Sequence, residues 1–318
     1  MRVTLIHNPG AGDGSRPGLR GLLELIHAAG HQVRYWSSKE RQLASVLSES
    51  ADLVVAAGGD GTIAKVARLL RGSDTPIAVL PIGTANNISK ALGVADLTLA
   101  QHVAGWTGGH PIDFDIGRAR GPWGSRRFVE SFGLGLMPHI MMVLEREGVG
   151  KLENAEANVA RAVQATRAAL RLLPAFELHA VLDGAELSGR FILLEAMNIA
   201  FIGPNLNLAS LADPTDGQLD VVAVREEERE TLRDCLEAEE HGEPWPHELR
   251  VIRSARVRIT CGAGAFHIDD ETSQRPRRGG RGIDISVIDR VRVLLPAGSA
   301  AAPSRSSSLA EAVTGATA

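Results

Sequence analysis

The 318-residue sequence predicts an α/β fold in two parts. An N-terminal α/β domain over residues 1–112 has a parallel sheet with helices on both faces. A mainly antiparallel β second domain covers 113–288. Three observations predict this. Strand-like apolar runs alternate with helix-periodic segments through the N-terminal third, which is the signature of a parallel sheet covered by helices. Loops rich in Gly and Asn follow several of these runs. After about Pro111 the pattern changes to short segments separated by turn signals.

The elements follow in order. Val3–His7 is an apolar strand, closed by the loop Asn8-Pro9-Gly10-Ala11-Gly12. A helix over about 17–29 carries Leu19, Leu22, Leu23 and Ile26 on one face and stops at Gly30. Gln32–Trp36 is a strand and 41–48 a short helix. Leu53–Ala57 is a continuous apolar run, as expected for a strand buried on both faces. After the loop 58–62, Ile63, Val66, Ala67 and Leu70 recur at helical spacing. Ile77–Leu80 is a fourth strand, followed by Pro81-Ile82-Gly83-Thr84-Ala85-Asn86-Asn87. In the second part, 126–131, 176–182, 189–202, 218–224 and 256–260 read as strands. Asp183-Gly184 marks a hairpin turn, and 154–173 is one long helix. The strand at about 289–296 is expected to return to the first domain, and 297–318 to form a flexible tail.

Composition limits the function classes. A net charge of −4 and 4% aromatic residues give no basic, base-stacking surface, so no nucleic acid partner is expected. Cys235 and Cys261 lack metal-ligand spacing and read as thiols of a reducing compartment. The N-terminus reads as a strand, not a signal peptide, and no stretch is long enough to span a membrane. A cytoplasmic protein is expected, with room for contact at a membrane surface.

The loop Gly58-Gly59-Asp60-Gly61-Thr62 is the most informative feature. Asp-Gly also makes hairpins, but a hairpin needs alternating apolar residues on both sides, and here a buried run precedes and a helix follows. Glycines allow backbone N–H groups to approach a ligand closely, and the helix N-terminus behind them favours anions. The loops after the first, third and fourth strands all lie at the carboxyl ends of a parallel sheet, where ligands bind. A Walker-type phosphate loop and a dinucleotide fingerprint are both absent.

The motifs 8–12, 58–62 and Gly83-Thr84-Ala85-Asn86, in this order, resemble the diacylglycerol kinase catalytic-domain family of lipid kinases. The resemblance continues through Asn205–Ala209, Asp213-Pro214-Thr215-Asp216-Gly217-Gln218-Leu219-Asp220 and Asp269-Asp270-Glu271. It implies a nucleotide domain like those of NAD kinase and phosphofructokinase, a β-rich acceptor domain, and transfer of the γ-phosphoryl group of ATP to a lipid hydroxyl with Mg²⁺. It also implies roles. Asn8, Pro9, Gly10, Ala11, Gly12, Gly58, Gly59, Asp60, Gly61, Thr62, Gly83, Thr84 and Asn86, with the hydroxyl of Ser37, would bind ATP, and Lys65, which departs from the family pattern, could contact ATP or the acceptor's head group. Asp60 would also reach Mg²⁺ through water. Asp269 would be the general base, with Glu271 orienting it or sharing the role. The Asp216 carboxylate would hold a structural Mg²⁺, with Asp213 and Gln218 contributing mainly backbone oxygens. The acceptor is a lipid alcohol at a membrane surface, entering beside apolar segments such as 137–144, 191–194 and 197–202. A homodimer is left open.

The sequence makes three departures from the family pattern. Asn87 stands where an Asp is usual, Asp270 replaces the Gly of Asp-Gly-Glu, and Ala64-Lys65 replaces an Asn-Glu pair. Two other readings stay in view: a kinase of a soluble acceptor such as NAD, and a non-catalytic nucleotide- or lipid-binding protein.

Overall fold

The computed structural model describes residues 1–11, 17–147, 155–262, 264–275 and 282–299. Gly12 and the tail beyond 299 lie outside them. The N-terminal part runs β1 (Arg2–His7), α1 (Leu19–Ala28), β2 (Gln32–Ser37), α2 (Leu43–Leu47), β3 (Leu53–Gly58), α3 (Asp60–Leu70), β4 (Ile77–Pro81), α4 (Asn87–Ala91) and α5 (Leu99–Gly105). Then come β5 (His110–Gly121), β6 (Gly124–Phe128), β7 (Ser131–Gly135), α6 (Leu136–Glu147), α7 (Ala155–Leu170), β8 (Phe176–Leu182), β9 (Ala185–Met197), β10 (Phe201–Ile202) and β11 (Leu206–Asn207). The chain closes with β12 (Leu219–Arg225), α8 (Arg229–His241), β13 (Val251–Ser254), β14 (Arg256–Cys261), β15 (Gly264–Ile268), β16 (Glu271–Arg275) and β17 (Ile283–Leu295).

The first sheet has the parallel order β2-β1-β3-β4. Every residue of β3 and β4 is buried, as their continuous apolar runs require. Side chains alternate between faces. Ile6, Val54 and Ala56 pack with Ile63, Val66 and Leu70 of α3 and with α2, while Leu5, Val55 and Ala57 pack with Leu22 and Ile26 of α1 and Val103 of α5. Helices therefore cover both faces. The order reverses between β1 and β3, which places the ligand crevice above their carboxyl ends.

β17 is the seam of the molecule. Its C-terminal end lies parallel to β4, with Val293 beside Ile77, while its first half pairs antiparallel with β14. It also pairs along its length with β5. The second part continues as β14-β8-β9-β7-β15-β16, all antiparallel. The β8–β9 turn is Asp183-Gly184, with φ +45° and +94°, the two left-handed residues that a tight hairpin of matching twist demands.

Several elements differ from the sequence expectation. Residues 110–121, to which the sequence pattern assigns no element, form a 12-residue strand. The segment 189–202 is broken after Met197. Among the described residues the second part holds three helices, not one. α6 is apolar enough to resemble a buried strand. α8 is so rich in Glu and Arg that only Leu232, Cys235, Leu236 and Ala238 mark its buried face. Among the described residues no helix is long and apolar enough to cross a membrane.

Candidate active site

The carboxyl-end loops meet around a pocket of about 430 Å³. Asn8, Gly10 and Ala11 come from the loop after β1. Ser38 and Lys39 follow β2. Gly59, Gly61, Thr62 and Lys65 come from the turn into α3, Gly83 and Thr84 follow β4, and Asp270 reaches over from the β15–β16 turn.

Local chemistry shapes each wall. The Asn8 side-chain oxygen accepts from Gly10 N–H at 3.1 Å, and its carbonyl accepts from Ala11 N–H at 3.1 Å, which folds that loop back on itself. Gly59 and Gly83 touch backbone to backbone: a Cβ on Gly83 would lie 2.3 Å from the Gly59 Cα. Only glycine permits that approach. Asn86 holds the second loop in a left-handed conformation (φ +54°), accepting from Gly83 N–H at 3.0 Å and donating to its carbonyl at 2.9 Å. Gly58 is bare because the Thr62 side chain fills the space a Cβ would take. Asp60 caps α4, its carboxylate accepting from Ile88 N–H at 2.9 Å.

Some expected residues are therefore loop-formers. Asn86, Gly58 and Pro9 shape the walls without lining the pocket, and the Thr62 N–H turns back to the Gly59 carbonyl at 2.9 Å. Ser37 also stays outside. Its hydroxyl accepts from Lys39 N–H at 3.2 Å, and the neighbouring Ser38 lines the pocket instead. Lys65 does face the pocket and donates to the Ser38 carbonyl. With Lys39, which sequence reasoning missed, it makes a pair of ammonium groups beside the α3 N-terminus. The position of Lys39 just past a strand's carboxyl end was the available signal.

The acidic turn differs most from expectation. Asp269 is not at the pocket surface. Its side chain is fully buried and accepts from Val129 N–H at 2.9 Å, Glu130 N–H at 2.8 Å and Arg68 Nη1 at 2.6 Å. A carboxylate so engaged has little freedom to take a proton from a bound alcohol. Asp269 also carries the positive φ (+51°) of this turn, whereas the position matching the family's glycine is Asp270. The Asp270 carboxylate is the one in the pocket, 2.8 Å from where a Gly61 Cβ would stand. Glu271 points away, paired with Arg126 on the surface.

Burial raises the pKa of Asp60 and of Asp269, and raises that of Glu130 well above its ordinary value. Glu130 is pushed up first by burial, then by the charges of Asp60, Asp269 and Asp270. These neighbouring buried acidic groups are thus held toward their neutral forms, and a cation beside them would favour the ionised forms.

The side chains at the expected structural Mg²⁺ site are engaged within the chain. Asp213 accepts from the N–H (2.9 Å) and hydroxyl (2.6 Å) of Thr215, forming a local turn. Asp216 accepts from Gln218 N–H at 2.8 Å and is paired with Arg253, so a positive charge already meets its carboxylate. Among the described residues no three acidic, His or Cys side chains converge as metal ligands. The loop is instead fastened by Asp115, which accepts from Gly217 N–H at 2.6 Å and from Arg290 at 2.8 Å.

The apolar segments expected beside the acceptor are mostly core. Phe191–Leu194, Met197, Ile199, Ile202, Met137 and Ile140 are buried. Two other depressions open in the second part. One of about 740 Å³ lies between Leu208–Leu211 and Trp245–Val251. One of about 470 Å³ is lined by Leu134, His139, Leu173 and Phe176.

Comparison with known proteins agrees with this architecture. Residues 2–119 match the diacylglycerol kinase catalytic domain, and residues 148–276 match the YegS C-terminal NAD kinase beta sandwich-like domain. A diacylglycerol kinase of Mycobacterium tuberculosis is 28% identical over 262 residues, covering 73% of this chain and 75% of the relative. The crystal structure of a putative diacylglycerol kinase from Bacillus anthracis superposes with a TM-score of 0.70 at 19% identity, over 94% of this chain and 98% of that one. Yeast NADH kinase complexed with NADH shares the fold at a TM-score of 0.53 and 10% identity, over 100% of this chain and 89% of that one.

Proposed function

Because this chain belongs to the diacylglycerol kinase catalytic-domain family, we propose that it is an ATP- and Mg²⁺-dependent kinase of a lipid alcohol such as a diacylglycerol. The observation that carries this reading is the pocket itself. Glycine-walled loops, a helix N-terminus and two ammonium groups surround it, and Asp270 crosses to it from the other half of the chain. That combination suits a polyphosphate with an acceptor hydroxyl brought beside it.

Phosphoryl transfer of this kind is mostly positioning and charge stabilisation. The Gly59 and Gly61 N–H groups, at the start of α3, would hold phosphate oxygens, with Thr84 beside them. Lys39 and Lys65 would offset the charge on the phosphates. The acceptor hydroxyl would enter on the Asp270 side, where its carboxylate takes the proton as the oxygen bonds to phosphorus. Asp269 would anchor that turn through Arg68 and the 129–130 backbone.

Mg²⁺ would suit the acidic side of the site, where few protein carboxylates would hold it. Asp60 would hold it through water. When bound it supplies charge neutralisation between phosphates and carboxylates.

The test is transfer of label from γ-labelled ATP to total lipid extract in mixed micelles with Mg²⁺, beside Asp270→Asn and a parallel arm containing NAD. Labelled lipid that disappears in the variant supports the reading. Labelled NAD phosphate without labelled lipid would move the acceptor to a soluble one. ATP binding with no transfer to either would make the protein a nucleotide-binding module.

A further inference from the structure

His267, Gly133 and Glu195 stand in one row across three neighbouring strands. His267 of β15 pairs with Gly133 of β7, and Gly133 pairs with Glu195 of β9. Side chains separated by an intervening strand are about 10 Å apart at the backbone, and a side chain between them would block their contact. Gly133 leaves that gap open: a Cβ there would lie 1.9 Å from a Glu195 carboxylate oxygen. Over the bare glycine, His267 Nε2 meets Glu195 Oε2 at 2.9 Å, and both side chains are buried, at 1% and 0% exposure.

The other ring nitrogen, Nδ1, lies 2.9 Å from the Asp269 carbonyl oxygen. A carbonyl only accepts, so Nδ1 carries a proton and donates. That carbonyl belongs to the peptide joining Asp269 to Asp270. A peptide is planar, so fixing its oxygen fixes the backbone from which Asp270 departs. Among the described residues no hydrogen bond holds the Asp270 carboxylate itself, so its aim depends on this backbone. The turn also needs restraint, because Asp269 sits at φ +51°, a conformation that side-chain-bearing residues adopt at a cost.

We propose that His267, clamped by Glu195 across Gly133, is a positioning residue that fixes the 269–270 peptide and thereby aims the Asp270 carboxylate into the phosphate pocket. The catalytic part of this rests on the kinase reading above. Stability does not explain the pair, since apolar side chains of similar volume in place of a buried ion pair are often as stable or more so. Its geometry does: one nitrogen is spent on orienting the ring, the other on orienting the turn.

Two isosteric variants separate these bonds. Asn at 267 places its amide N–H near Nδ1 and keeps the bond to the Asp269 carbonyl. Gln places its amide near Nε2 and keeps only the bond to Glu195. His267→Gln is expected to lose about tenfold or more in kcat, with the KM for ATP within about twofold, because a misplacement near 1 Å is costly for the reacting group. His267→Asn is expected to stay within about threefold of the unmodified protein on both measures. Crystal structures of both variants supply a readout independent of activity. Asp270 should leave Gly61 by about 1 Å or more in the Gln variant and stay in the Asn variant. Equal losses in both variants, or Asp270 unmoved in the Gln variant, would overturn the assignment. If the unmodified protein transfers no phosphoryl group, the kinase reading fails alone, and the two crystal structures still decide the positioning role.

Discussion

Adjacent aspartates in this chain have opposite environments. Asp269 is fully buried among N–H donors and Arg68, whereas Asp270 faces the pocket. Their substitutions should therefore separate. Asp270→Asn is expected to lower kcat by about 10²–10⁴ with little change in melting temperature, since it removes a proton acceptor and no packing. Asp269→Ala should instead cost about 3 kcal/mol in urea unfolding, because it leaves Arg68 and two backbone N–H groups without their acceptor. Steady-state kinetics and denaturation on both variants check the pair. The sequence pointed to this tripeptide but not to which carboxylate faces the pocket. That choice is made by the positive φ at 269 and by the N–H groups of 129–130, which are about 140 residues away in sequence.

Among the elements, the parallel strands and their loops were legible because their signals are local. A buried run, a glycine turn and a 3.6-residue repeat each lie within a dozen or so residues. The contact between loops was less visible. Gly59 and Gly83 could be read as phosphate-loop glycines, but their mutual backbone contact needs the β3–β4 register. Gly83→Ala should force the loops apart and raise the ATP dissociation constant about tenfold in calorimetry, the scale of modest overpacking, while leaving the acidic turn in place. Elements were missed where pattern and context conflict. α6 is apolar on most sides, α8 is polar on most sides, and 110–121 owes its strand state to pairing with β17. The pairing of the expected Mg²⁺ loop was hidden for a related reason: Arg253 and Arg290, which meet Asp216 and Asp115, come from distant strands.

Across the whole molecule, buried titratable groups of opposite kind should set the pH range of the fold. His102 is 1% exposed and burial pulls its pKa down to about 4. The folded state keeps it neutral while the unfolded chain protonates near 6.5. Its contribution is therefore full above about pH 6.5 and is lost as pH falls toward 4, by up to about 3 kcal/mol. Glu130 has the reverse sign. Its pKa is raised well above the ordinary range in the fold, so the folded state holds a proton that the unfolded chain has released. Its contribution is full below about pH 4.5 and falls as pH rises through the raised value. Asp60 and Asp269 add to that slope with the same sign. Melting temperature measured from pH 4.5 to 8.5 should accordingly describe a dome. Glu130→Gln keeps the neutral form of the side chain at every pH, so it should flatten the alkaline side and leave the acid side unchanged. At pH 8 it should melt about 2–4 °C higher than the unmodified protein for each kcal/mol of burial penalty removed. An unchanged alkaline limb in Glu130→Gln would mean that Glu130 is not the group whose ionisation weakens the fold. Saturating ATP with Mg²⁺ should shrink the same limb in the unmodified protein, because a bound cation lowers the cost of ionising the carboxylates beneath it.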